Sequence, residues 1–92
     1  MIVRISGEGQ WKLADDVRAR VNELDNAAVA AVEAGDEPGF HESFDALLTM
    51  VRADGERLAG DDLHPSDVIL PPADLSFDEA GEDFTGEGLI PD

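Results

Sequence analysis

Two apolar stripes at helical spacing follow one another in this chain, with only a glycine and an aspartate between them. From Ala14 to Ala34 the positions Val17, Val21, Leu24, Ala28 and Ala31 or Val32 step by four and three, the pattern of one helix face. Phe40, Phe44, Leu47, Leu48 and Val51 then repeat that spacing. Between them, Gly35 suits the left-handed residue that ends a helix, Asp36 suits an N-cap, and Pro38 is tolerated in a first turn. Gly55 is placed to end the second helix. So short a connection makes the two helices antiparallel neighbours. The side-chain sizes agree. Residues Ala27 to Ala34 are small, and Phe40 and Phe44 are the bulk that would face them.

The flanking segments read as β-structure. Ile2-Val3-Arg4-Ile5 is rich in β-branched residues, Ser6-Gly7-Glu8-Gly9 suits a tight reversal, and Gln10 to Leu13 alternates with Trp11 and Leu13 on one face. A two-stranded hairpin is marginal alone, so its apolar face must lie on the helices. After Gly55, Glu56 to Asp62 reads as loop. Val68 to Leu70, bounded by Pro65 and by Pro71 and Pro72, reads as an edge strand beside the hairpin. Ser76 and Glu79 have the spacing of a capping box and announce a short helix through about Phe84, which Gly81 weakens by ~1 kcal/mol. Leu89-Ile90-Pro91 forms a last apolar anchor. The expected fold is α+β: an N-terminal β-hairpin, a long antiparallel helical hairpin, a short edge strand and a weak C-terminal helix. Its 92 residues suit one domain, with 58–92 its acidic and less defined part.

Charge is the other constraint. The chain has 22 acidic and 6 basic side chains, a formal net charge of −16. After Arg57 there is no Lys or Arg at all, while Leu58 to Asp92 holds ten carboxylates. That distribution repels nucleic acid and anionic lipid and favours basic surfaces, although adaptation to a salty host would produce the same acidity with no partner. The absence of cysteine, of a signal peptide and of a long apolar run points to the cytoplasm.

Reactive chemistry finds little footing. Neither Asp61-Asp62 nor the stretch from Asp78 to Asp83 has the ligand order of a calcium loop, and His41 and His64 are isolated. Ser6, Ser43, Ser66 and Ser76 suit turns and caps, and Gly7-Glu8-Gly9 lacks the Lys and Ser/Thr of a phosphate loop. The expectation is a non-enzyme without metal or cofactor and without direct nucleic-acid contact. Candidate partner-binding residues are Trp11, a residue type enriched at interfaces, and Asp61, Asp62, Asp67, Val68 and Leu70 of the acidic edge segment. Scarcity of large side chains also argues that Trp11 is core, and that reading is the heavier of the two.

The order of segments resembles a known family. Met1 to Trp11, Asn22-Glu23-Leu24-Asp25-Asn26, Ala30 to Asp36, Pro65 to Asp74 and Glu87 to Pro91 together are similar to the PspA-associated (PspAA) domain across essentially the whole chain. The resemblance implies an accessory protein of the phage-shock, or envelope-stress, system. Its partner would be PspA, a long coiled-coil protein that binds stressed membranes, and any membrane association would pass through that partner. It carries over no catalytic residue. Two readings of other classes stand beside it: an acidic regulator that mimics nucleic acid on the basic surface of a DNA-binding partner, and an enzyme accessory or hydrolase using the paired carboxylates Asp61 and Asp62.

Overall fold

The structure is a computed structural model and describes residues 1–59 and 65–84, the side chains of 82 and 83 excepted. The Asp61-Asp62 pair, His64 and the Leu89-Ile90 anchor lie outside the described residues. Strands β1 (Ile2–Ile5) and β2 (Gly9–Lys12) lead into helices α1 (Asp15–Ala34) and α2 (Glu37–Asp54). Strands β3 (Glu56–Arg57) and β4 (Val68–Leu70) and helix α3 (Phe77–Asp83) complete the order. The strands form one sheet in the order β3-β2-β1-β4.

The helical hairpin forms as its pattern predicts. Gly35 ends α1 in the left-handed conformation (φ 70°), and its N–H reaches the carbonyls of Ala31 and Val32. A side chain there would crowd the backbone, so glycine is the low-cost residue. One residue later the Asp36 side chain accepts the Gly39 N–H at 3.1 Å and caps α2, with Pro38 in the first turn. The chain therefore reverses over two residues. Phe40, Phe44, Leu47, Leu48 and Val51 of α2 are buried in one core with Val17, Val21, Ala28, Val29 and Ala31 of α1. Each large apolar side chain so buried contributes about 1.5–3 kcal/mol.

The apolar face of α1 is broader than its periodicity suggests. Leu24 and Val32 are only partly buried, whereas Asp25 and Val29 are buried. The helix touches α3 as well as α2, and its buried side chains join one core with those of the sheet.

At the other end of α2, Gly55 is needed for close approach. A Cβ built there would lie 2.5 Å from the Val51 carbonyl oxygen, 2.9 Å from Leu13 Cδ2 and 3.2 Å from Trp11 Cβ. The chain leaves the helix against β2 and pairs with it at once, Trp11 opposite Arg57 and Lys12 opposite Glu56. Glu56 and Arg57 were expected in a loop; they form β3 instead. Two residues carry no periodicity, and this pairing is set by where α2 delivers the chain.

Strand β4 lies on the far edge, parallel to β1, with Val3 opposite Val68 and Ile5 opposite Leu70. This is the proline-bounded edge strand expected beside the hairpin. Helix α3 also forms, despite Gly81. Ser76 Oγ accepts the Glu79 N–H at 3.2 Å and donates to Glu79 Oε1 at 2.9 Å. Ala80 and Phe84 are fully buried, so packing outweighs the local cost of glycine. Phe84 meets Phe40 and Phe44 edge-on, with ring centroids 5.2 and 5.6 Å away, while those two stack at 5.5 Å. Phe77 adds a fourth ring, 5.9 Å from Phe40. All the phenylalanines of the chain thus form one cluster that fastens α3 to the start of α2.

Candidate interaction surfaces

Alternation along the strands sorts the sheet into two faces. Val3, Ile5, Trp11, Val68 and Leu70 point to the helices and are buried. The proposed partner residues Trp11, Val68 and Leu70 are therefore brought together, but inside the core: Val3 stands between Trp11 on one side and Val68 on the other. Only 4% of Trp11 is exposed. Its ring is covered at the sheet edge by the Arg57 guanidinium, 5.4 Å from the ring centroid, a cation–π contact.

Asp67 is exposed, yet it has structural work. Its Oδ2 accepts the Ile2 N–H at 2.8 Å, and its own N–H donates to the Ile2 carbonyl at 2.8 Å. This reciprocal pair starts the β1–β4 ladder. Asp61 and Asp62 lie outside the described residues.

Two acids that sequence reasoning passed over have clear positions. Glu8, in the hairpin turn, takes both forks of Arg52 from the last turn of α2, with Nε 2.7 Å from Oε1 and Nη2 2.6 Å from Oε2. The Arg52 hydrogen bonds hold the Glu8 carboxyl below its ordinary value, and the same bonds raise Arg52. Arg57 Nη2 adds a bond to the Glu8 carbonyl at 3.2 Å. Asp25 is fully buried in the middle of α1 and is engaged there, as are Asn22 and Arg18, one and two turns back along the same side of the helix. Its place between Leu24 and Ala28, two positions of the predicted stripe, was the available signal.

The opposite face of the sheet carries Ile2, Arg4, Gln10, Lys12, Glu56 and Ile69. In register, Arg4 lies between Gln10 and Ile69, and Lys12 lies between Ile2 and Glu56. Gln10 is buried there and donates from Nε2 to Ser66 Oγ at 2.7 Å. Ile69 is 62% exposed and is the exposed large hydrophobic of the described residues. Arg4 is exposed beside it, and Lys12 is exposed on β2, two strands away.

Among the described residues, no group of three or more His, Cys, Asp and Glu side chains is gathered as for a metal ion. No described helix is long and apolar enough to cross a membrane.

These features define a small α+β domain: a four-stranded sheet backed by a helical hairpin, with Asp25 buried in α1 and an outer sheet face that mixes Arg4 and Lys12 with Glu56, Asp67 and the exposed Ile69. The chain belongs to the PspA-Associated protein family, PspAA, whose family model matches residues 1–92. That membership associates it with PspA-type systems. No curated protein and no solved structure gives a significant match.

Proposed function

We propose that this chain is a non-enzymatic accessory protein that binds a PspA-type coiled-coil membrane-stress protein and supports or regulates the envelope-stress response. The whole-chain family match carries this reading. The charge is compatible with it: at −16, the protein is poorly suited to hold an anionic membrane by itself, so it works in the cytoplasm and reaches the membrane through its partner. A structured coiled coil offers long faces of mixed charge and apolar character, which a small rigid domain can engage through one sheet or helix face.

The test is capture of the tagged chain from its native host before and after envelope stress, probing for the PspA-type protein, with the reciprocal capture from the PspA side. Co-capture in both directions supports the reading. Recovery of the chain without PspA in either direction, at native expression and under both conditions, rejects it.

A further inference from the structure

Asp54-Gly55 is the sole Asp-Gly step in the sequence, and no Asn-Gly occurs. At such a step the aspartate carboxyl is open to attack by the next backbone nitrogen, because glycine puts no side chain in the way. The step lies at a joint: Asp54 is the last residue of α2, Gly55 is its C-cap, and Glu56 opens β3. The Asp54 side chain is 43% exposed, with Arg20 3.8 Å away. What keeps carboxyl and nitrogen apart is the backbone. Helical residues hold ψ at about −42°, whereas a succinimide ring needs the Gly55 nitrogen turned beneath the Asp54 Cβ. The Gly55 N–H is donated to the Val51 carbonyl at 3.0 Å, and that rotation would break the bond. Space closes the same route. A carbon added on Gly55 Cα would lie 2.5 Å from the Val51 carbonyl oxygen and 2.9 Å from Leu13 Cδ2, so the chain has no room to shift there. Arg52, in the same last turn, is clamped on Glu8 of the hairpin.

We infer that Asp54-Gly55 is a latent isomerisation site, closed while the last turn of α2 is capped, opened when that turn unwinds, and able to detach β3 once it has reacted. In the open state the Gly55 nitrogen gives up its proton and bonds to Asp54 Cγ, and a carboxyl oxygen leaves as water. The succinimide opens when water adds to either ring carbonyl. Addition at Cγ restores aspartate. Addition at the former main-chain carbonyl gives isoaspartate, with the chain running through Cβ and Cγ and the old carbonyl now a side-chain carboxylate. No atoms are gained or lost overall, and water is the co-reactant. The main chain is then one bond longer between α2 and β3. With the end of α2 held by Arg52 and Glu8, Glu56 and Arg57 lose register with Lys12 and Trp11, and the Arg57 guanidinium leaves the Trp11 ring. This chemistry is independent of the partner proposed above.

The experiment ages the full chain at physiological temperature and neutral pH, folded in buffer or unfolded in guanidinium chloride. Isoaspartate at position 54 is measured by peptide mapping and by methyl transfer from an isoaspartyl methyltransferase. It should accumulate at least ~tenfold more slowly in the folded chain, because reaction needs a local opening. Arg52→Gln, which frees the last turn from the hairpin, should isomerise faster than the folded wild type. Asp54→Glu, whose longer side chain does not close the succinimide ring, should give no signal. Folded protein carrying the isoaspartate should show altered Trp11 fluorescence. Equal rates in folded and unfolded chains overturn the closed state, and an unfolded chain that forms no isoaspartate overturns the site. A folded Arg52→Gln that reacts at the wild-type rate overturns the unwinding of the last turn as the opening step. Modified protein with the Trp11 emission of the unmodified one overturns the effect on β3. If Arg52→Gln does not fold, the comparison of folded with unfolded wild type still decides whether the site is closed.

Discussion

Arg52 grips Glu8 through two parallel hydrogen bonds, 2.6 and 2.7 Å long, between the last turn of α2 and the turn of the N-terminal hairpin. These residues are 44 positions apart, and their pairing fixes how the hairpin sits against the helical layer. A double-mutant cycle of Glu8→Gln and Arg52→Gln, measured by urea unfolding, should give a coupling of about 0.5–1 kcal/mol. That is the upper part of the range for exposed pairs, because the geometry is bidentate but the groups are still a third open to solvent. A coupling indistinguishable from zero would mean that the pair does not persist in solution.

The same pair sets a pH dependence. The Glu8 carboxyl is held below its ordinary 4.5 by Arg52, so the unfolded chain takes up this proton more readily than the folded one. The stabilisation is then complete above the ordinary value and disappears as the pH falls through the lowered folded value. The stability difference between wild type and Glu8→Gln should be constant from neutral pH to near 5 and close as the pH falls below 4.5. A difference that grows on acidification would reverse the sign and remove Arg52 as its cause.

Phe84 locks α3 onto the hairpin. It is fully buried and edge-on to both Phe40 and Phe44. Phe84→Ala should cost about 3–5 kcal/mol in chemical unfolding, the range for a lost core aromatic. A cost below ~1 kcal/mol would show that α3 is not part of the cooperative core.

The two glycines at α2's end and in α3 should respond oppositely to alanine. At Gly55 the new methyl meets a backbone oxygen and the Leu13 side chain, so destabilisation of about 1–3 kcal/mol is expected. At Gly81 nothing lies within 4 Å and the residue is exposed, so alanine should stabilise by up to ~1 kcal/mol through helix propensity. Thermal melts of the two variants should move in opposite directions. Equal shifts in one direction would contradict the packing described at Gly55.

Much of this fold is legible in the sequence because its strongest signals are local. The Gly35-Asp36 break, the phenylalanine stripe of α2, the hairpin glycines and the Ser76 cap each act within a few residues, and each forms as its chemistry suggests. The feature that escaped depends on a distant partner: β3 exists because Gly55 delivers Glu56 and Arg57 to β2. The short helix expected after Ser76 does form, and its strength despite Gly81 comes from Phe84 reaching Phe40 and Phe44. The candidate site was less legible for the same reason. Trp11, Val68 and Leu70 show apolar character in sequence, but only strand register reveals that all three face the helices. Asp67 looks like one more surface acid until its carboxylate is seen on the Ile2 N–H. Register likewise gathers Arg4, Lys12 and Ile69, which are spread over 65 residues of chain, onto one face.

The most direct measurement is an amide chemical-shift titration of the labelled chain with the host's PspA-type protein at physiological salt. The account predicts saturable changes at exposed residues, with the Phe40–Phe44–Phe84 core unmoved. A spectrum unchanged at stoichiometric partner would contradict the binding.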